Sequence, residues 1–257
     1  MSVNQVNQMA TQKSDAVERA KICGRALMSR RGNSTKLVLS FLFCITCAIF
    51  VAFALDAVTV YLLPGRLESY AMTVSLGITV AVYSMLDVWL LRMGVRAGQG
   101  RIELFDFGKK GKGSGFSASV AMGLGFLIEV AFAAALYFYV EIFSPHVSGV
   151  LGKGVNGLCT LLTAFLIGVI VFYIGTGLFF LPAVAEREKK GSFSLIVASF
   201  RAARGNRPKV VKFVFSFLLL TFLSLFSLGI LFFIYVLPLY ILSYGAFASE
   251  VLDYKEL

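Results

Sequence analysis

Histidine is all but missing from this sequence: His146 is the only one in 257 residues. A zinc protease built on His-Glu-x-x-His needs two, and so does a histidine-rich metal centre, so both are excluded. No Gly-x-Ser-x-Gly stretch is present to seat an esterase nucleophile. Cysteine is sparse as well. Cys23 and Cys159 stand alone, and Cys44-Ile-Thr-Cys47 falls inside an apolar run. Its i, i+3 spacing puts both sulfurs on one helix face, but a redox pair needs a polar surface and an electron partner, so the pair reads as packing. With no nucleophile, base or metal constellation, the chain is read as non-enzymatic and without a cofactor. The polar stretch from Met1 to Ser14 carries no cleavable-signal pattern and reads as a disordered tail.

Apolar residues fill the space that these absences leave. They make up 58% of the chain against 15% charged, and mean hydropathy is +0.82, far outside soluble usage. The composition is that of an integral membrane protein. Runs near the ~20 residues needed to cross a bilayer lie at about 37–63, 69–91, 116–143 and 155–181. A fifth run, Val210 to Ala248, would reach roughly 60 Å as one helix, about twice the hydrocarbon thickness. It is read as a hairpin turning at Ser227-Leu-Gly229, with spans 210–227 and 230–250. The expected fold is therefore an all-α polytopic transmembrane bundle over 15–257, six spans in three hairpins, with basic amphipathic helices on the cytoplasmic side.

Charge tests that topology. Of 24 Lys and Arg, 21 lie before the first span, between the second and third, or between the fourth and fifth. Alternate loops hold only Arg66 and Lys153, so both termini are expected to be cytoplasmic. The net charge of +10 is thereby explained without nucleic acid.

Two of the basic segments share a signature. "RGNSTKLVLSFL" begins at Arg31, and "RGNRPKVVKFVFSFL" begins at Arg204. Before the first, Asp15 and Glu18 mark a helix start, and Val17, Ala20, Gly24 and Leu27 form one stripe of an interfacial helix over 15–31. Before the second, Ser192 or Ser194 starts a helix with Phe193, Ile196, Val197 and Phe200 on one face, and Pro208 opens the next span. Gly32-Asn33 and Gly205-Asn206 then read as corners where one helix stops and another begins. A basic corner of this kind also suits a lipid phosphate. Arg92 to Gly115 reads as a third such segment; its Gly108-Lys-Lys-Gly-Lys-Gly-Ser-Gly115 lacks the lysine of a P-loop and reads as a linker touching anionic headgroups. Arg31, Asn33, Arg92, Arg96, Arg201, Arg204, Asn206 and Arg207 are the expected lipid or partner contacts.

"GVRAGQGRIELFDFGKK", "SFRAARGNRPKVVKFVFSFL" and "SLGILFFIYVLPLYILSYGAFASEVL" together resemble a widespread family of uncharacterised bacterial polytopic membrane proteins, similar to the membrane domain attached to some glycerophosphodiester phosphodiesterases. Leu104, Phe105, Phe107, Gly205, Asn206, Pro238 and Tyr240 carry the match. The family's Pro-Tyr pair is Pro238-Leu-Tyr240 here, and no attached phosphodiesterase domain is expected from these 257 residues. The resemblance implies six helices reaching into the cytoplasmic interface of a bacterial inner membrane, and brings no catalytic residues.

Inside the spans, Asp56, Asp87 and Glu129 are carboxylates that are expensive in hydrocarbon and therefore candidate functional groups. Asp87 is close enough to Arg92 to pair with it. Glu129 has no cation at its depth, and either serves a proton-coupled carrier or hydrogen-bonds a neighbouring helix through Thr73, Ser75, Thr79, Ser84 or Tyr173. Small residues at Ser119, Ala121, Gly123 and Gly125, and at Gly168, Gly175 and Gly177, predict close helix packing, and Pro238 predicts a kink. The favoured function is a non-catalytic scaffold or accessory subunit that engages anionic lipid, a protein partner or a second copy of itself; the alternative is a small carrier using Glu129.

Overall fold

A computed structural model of the chain describes residues 15–30, 32–62, 68–98, 115–143, 150–188, 191–227 and 229–253. These form helices α1 (Ala16–Met28), α2 (Asn33–Leu62), α3 (Glu68–Gly98), α4 (Gly115–Phe143), α5 (Val150–Leu178), α6 (Leu181–Arg187), α7 (Ser192–Ala203), α8 (Arg207–Leu225) and α9 (Leu237–Asp253), with a π-helix at Phe232–Val236. No strand occurs among the described residues. Among the described residues, four helical stretches are long and apolar enough to cross a membrane: Asn33–Leu55, Gly77–Gly98, Leu161–Arg187 and Phe232–Asp253. They fall on the expected first, second, fourth and sixth spans, while the other two expected spans fall on α4 and α8. The expected tail, Arg31, the linker at 108–114, the matching residues Leu104, Phe105 and Phe107, and His146 all lie outside the described residues.

The turn between α8 and the π-helix is where glycine placed it, with Gly229 at φ +80. Pro238 then acts on the backbone before it. Proline offers no N–H to the carbonyl four residues back, and its ring crowds that carbonyl, so the ladder widens to the i→i+5 spacing of the π-helix. The displaced Ile234 carbonyl accepts from Ser34 Oγ at 3.4 Å.

Helix α1 buries the stripe read from sequence: Val17, Ala20, Gly24 and Leu27 are all buried. That face packs on α9. The reason is steric. A methyl added at Gly24 would collide with Ser243 of α9, so α1 sits against the α9 backbone. A second close crossing joins α3 and α9, where a methyl at Gly94 would strike the Ile241 carbonyl and one at Gly245 the Gly94 carbonyl. Around these crossings an aromatic core closes: Phe213 stacks on Phe247 at 4.8 Å, and the Tyr244 hydroxyl donates to the Phe179 carbonyl at 2.8 Å.

The basic segment expected to start at Arg92 is corrected as well. Helix α3 continues through Gly98, and Arg92 and Arg96 are 4% and 7% exposed. They are part of the packed interior at one end of the bundle, not of a surface helix. Along α7 the expected face is split, since Ile196 packs on the core and Phe200 against Gly177 while Phe193 and Val197 turn outward. Leu195, Ser199, Ala202 and Ala203 are the buried residues, while Phe193 is 80% and Val197 42% exposed. The small Ser199 allows close approach to α5 and donates to the Gly177 carbonyl at 2.6 Å. Of the predicted small-residue contacts, Gly125 abuts Leu178 and Gly177 abuts Phe200, whereas Gly168 faces open space.

Candidate functional site

The repeated Arg-Gly-Asn corners have one construction. Gly32 and Gly205 adopt φ +86 and +84, the left-handed conformation that lets a helix end abruptly. Each asparagine then turns back toward the helix it follows: Asn33 Nδ2 donates to the Leu27 carbonyl at 3.0 Å, and Asn206 Nδ2 donates to the Ala202 carbonyl at 3.1 Å. These side chains satisfy carbonyls that the helix end leaves open. Asn206 occupies the first cap of α8 without bonding to it, so its expected role as a lipid or partner contact is replaced by a buried, structural one.

Outside the second corner lies a cavity of about 500 Å³, lined by Arg201, Arg204 and Arg207 together with Tyr173, Val197 and Phe200. Three of the arginines singled out from the sequence thus converge. The α7 turn places Arg201 and Arg204 three residues apart on one side, the glycine corner reverses the chain, and the first residue of α8 brings Arg207 back to the same space. The Arg207 guanidinium lies 3.4 Å from the centroid of the Tyr173 ring, a cation–π contact that orients it. Its Nε is buried and has no hydrogen-bond partner among the described residues. The cavity walls combine fixed positive charge with aromatic and aliphatic surface.

Arg92 and Arg96 serve a different purpose. Arg92 Nε meets Glu186 Oε1 at 2.5 Å, and Arg96 Nε meets Glu186 Oε2 at 3.0 Å. All three side chains are less than a tenth exposed. Their expected contact with lipid headgroups is therefore corrected: a single carboxylate from α6 holds both. The expected Asp87–Arg92 pair does not form either, since Arg92 is drawn to Glu186.

Ion pairs link the rest of this end. Arg187 joins Asp253 at 2.5 Å, Arg19 joins Glu250 at 2.5 Å, and Asp15 pairs with Lys212. Asp15 sits at the first cap of α1 but makes no cap bond with its side chain; the hydrogen bond from Lys212 holds its carboxyl below the usual carboxylate range. Lys21 donates to the Ser216 carbonyl at 2.7 Å with its ammonium 4.8 Å from the Phe217 ring, and burial lowers its pKa. Burial likewise raises the Cys23 thiol.

A second cavity, about 260 Å³, lies deeper, between α3, α4, α5 and α9. Asp87 projects into it beside Tyr83, Ser84 and Tyr240. Asp56 belongs to α2 and Glu129 to α4, and their side chains lie outside the described residues. Of the hydroxyls expected to serve Glu129, Thr79 bonds its own helix at Ser75 and Tyr173 supports Arg207. No group of three metal-binding side chains occurs among the described residues.

Sequence reasoning missed Glu186, and missed the role of Tyr173 beside Arg207, having named it only as a partner for Glu129. Glu186 carried a signal, as one of two acids in a loop crowded with cations. Tyr173 carried none, because its use depends on a helix contact between α5 and α8. No family model matches the chain, and no curated protein or solved structure matches it.

Proposed function

We propose that the protein is a non-catalytic integral membrane scaffold that binds an anionic lipid headgroup at the Arg201–Arg204–Arg207 cavity. The convergence of three guanidinium groups on one space beside exposed apolar surface carries this reading. A phosphate needs the charge, and acyl chains need exposed apolar side chains, which α7 and α5 supply in Phe193, Phe165 and Phe172. Planar guanidinium forks suit phosphate oxygens better than point charges do.

The same reading includes six spans in three hairpins, both termini on the cytoplasmic side of a bacterial inner membrane, and kinship with the family resembled by the motifs. Ion pairs joining α1, α6, α8 and α9 at one end support it, because they gather the basic segments together. A protein partner or second copy would dock on this basic end. The carrier is the second reading, favoured by the cavity at Asp87; there Glu129→Gln should abolish flux in a reconstituted assay, and unchanged flux would exclude Glu129.

The direct test is native mass spectrometry from maltoside micelles. Wild-type protein should retain phosphatidylglycerol in preference to phosphatidylcholine. At ~1 kcal/mol for each cation, the triple variant Arg201→Ala, Arg204→Ala, Arg207→Ala should lose at least about tenfold of that preference. Equal retention by the folded variant would refute the assignment.

A further inference from the structure

The Asp87 cavity has chemistry opposite to that of the arginine cavity. Its walls are apolar and aromatic: Tyr83 from α3, Phe126 from α4, Phe179 at the end of α5 and Tyr240 from α9. Gly175 also lines it and contributes no side chain to fill it. Among the described residues of the lining, Asp87 is the one carboxylate and none is a cation. The nearest candidate in sequence, Arg92, is held by Glu186. No ion pair to Asp87 occurs among the described residues.

An unpaired carboxylate in a low-dielectric space calls for a positive charge, and aromatic faces attract the same charge through their quadrupoles. Carboxylate and rings together discriminate an ammonium group from a metal ion, which would want several oxygen ligands. The volume is just below the ~300–1,000 Å³ typical of small-ligand clefts, so it suits a headgroup rather than a large metabolite. We infer that this cavity is a binding site for an organic ammonium group, with Asp87 as counter-ion and Tyr83 and Tyr240 as aromatic walls. The site is separate from the proposed phosphate site and does not depend on it.

Butyltrimethylammonium and hexanol are suitable probes: similar in apolar bulk, one charged and one neutral. Calorimetric titration of the full chain in a non-ionic maltoside micelle should show one ammonium bound per chain and no comparable binding of hexanol. Asp87→Asn, close to isosteric, should weaken ammonium binding at least about tenfold, and Tyr83→Leu severalfold. Tyr83 is 37% exposed, so that variant keeps the test decisive if Asp87→Asn does not fold. Three results would each overturn the inference: no ammonium binding by folded wild type, equal binding of hexanol, or affinity unchanged in both variants.

Discussion

Glu186 is the single residue on which the basic end of the molecule most depends. It pairs with two buried arginines, and removing it would take from Arg92 its carboxylate partner. Breaking a buried pair in this way destabilises by ~3–5 kcal/mol, so Glu186→Gln should lower the thermal unfolding midpoint in detergent sharply. Glu250→Gln, whose pair with Arg19 is about one-third exposed on each side, should change it little, since such pairs contribute ~0–1 kcal/mol. A reversed ranking would show that Arg92 and Arg96 are neutralised elsewhere. Asp15 adds a pH dependence. Its folded carboxyl is held below the unfolded value, so between the two the unfolded chain binds more protons and stability rises with pH. The Asp15–Lys212 contact should be fully present above the ordinary aspartate range and lost as pH falls through the lowered value. Amide exchange at the start of α1, corrected for intrinsic rates, should report this, and Asp15→Asn should remove it. At this scale the sequence revealed which residue types were unusual but not their partners: Asp87 and Arg92 are near in sequence, yet Arg92 turns to a carboxylate 94 residues away.

Helices α1, α3 and α9 meet through glycine. A valine at Gly94 or Gly245 would force the two backbones apart, and overpacking of this sort destabilises by ~1–3 kcal/mol. Gly245→Val should therefore lower the unfolding midpoint, whereas Gly168→Val, facing open space, should not; equal effects would contradict the crossing. Periodicity made α1 legible to the residue, because a single stripe on a short polar helix has only one way to be buried. It failed on α7, where apolar residues lie on both sides. There Leu195, Ser199, Ala202 and Ala203 are buried while Phe193 and Val197 face out, a choice that hydrophobicity alone does not set. The Gly94–Gly245 contact was equally hidden, since nothing in either sequence says which glycine of α3 meets the single glycine of α9.

Across the whole molecule, the apolar helices and the grouping of positive charge were evident from composition and position, while the use made of that charge was not. Many cations expected to face headgroups instead join α1, α3, α6, α8 and α9 to one another. Arg201, Arg204 and Arg207 instead line one cavity. Both the lipid assignment and the one-sided charge require that these segments share a leaflet. Single cysteines at positions 100, 190 and 147 of a background lacking Cys23, Cys44, Cys47 and Cys159, probed in spheroplasts with a membrane-impermeant maleimide, test this directly. Positions 100 and 190 should be labelled only after lysis, and position 147 from outside. Labelling of 100 and 190 from opposite faces would contradict the account.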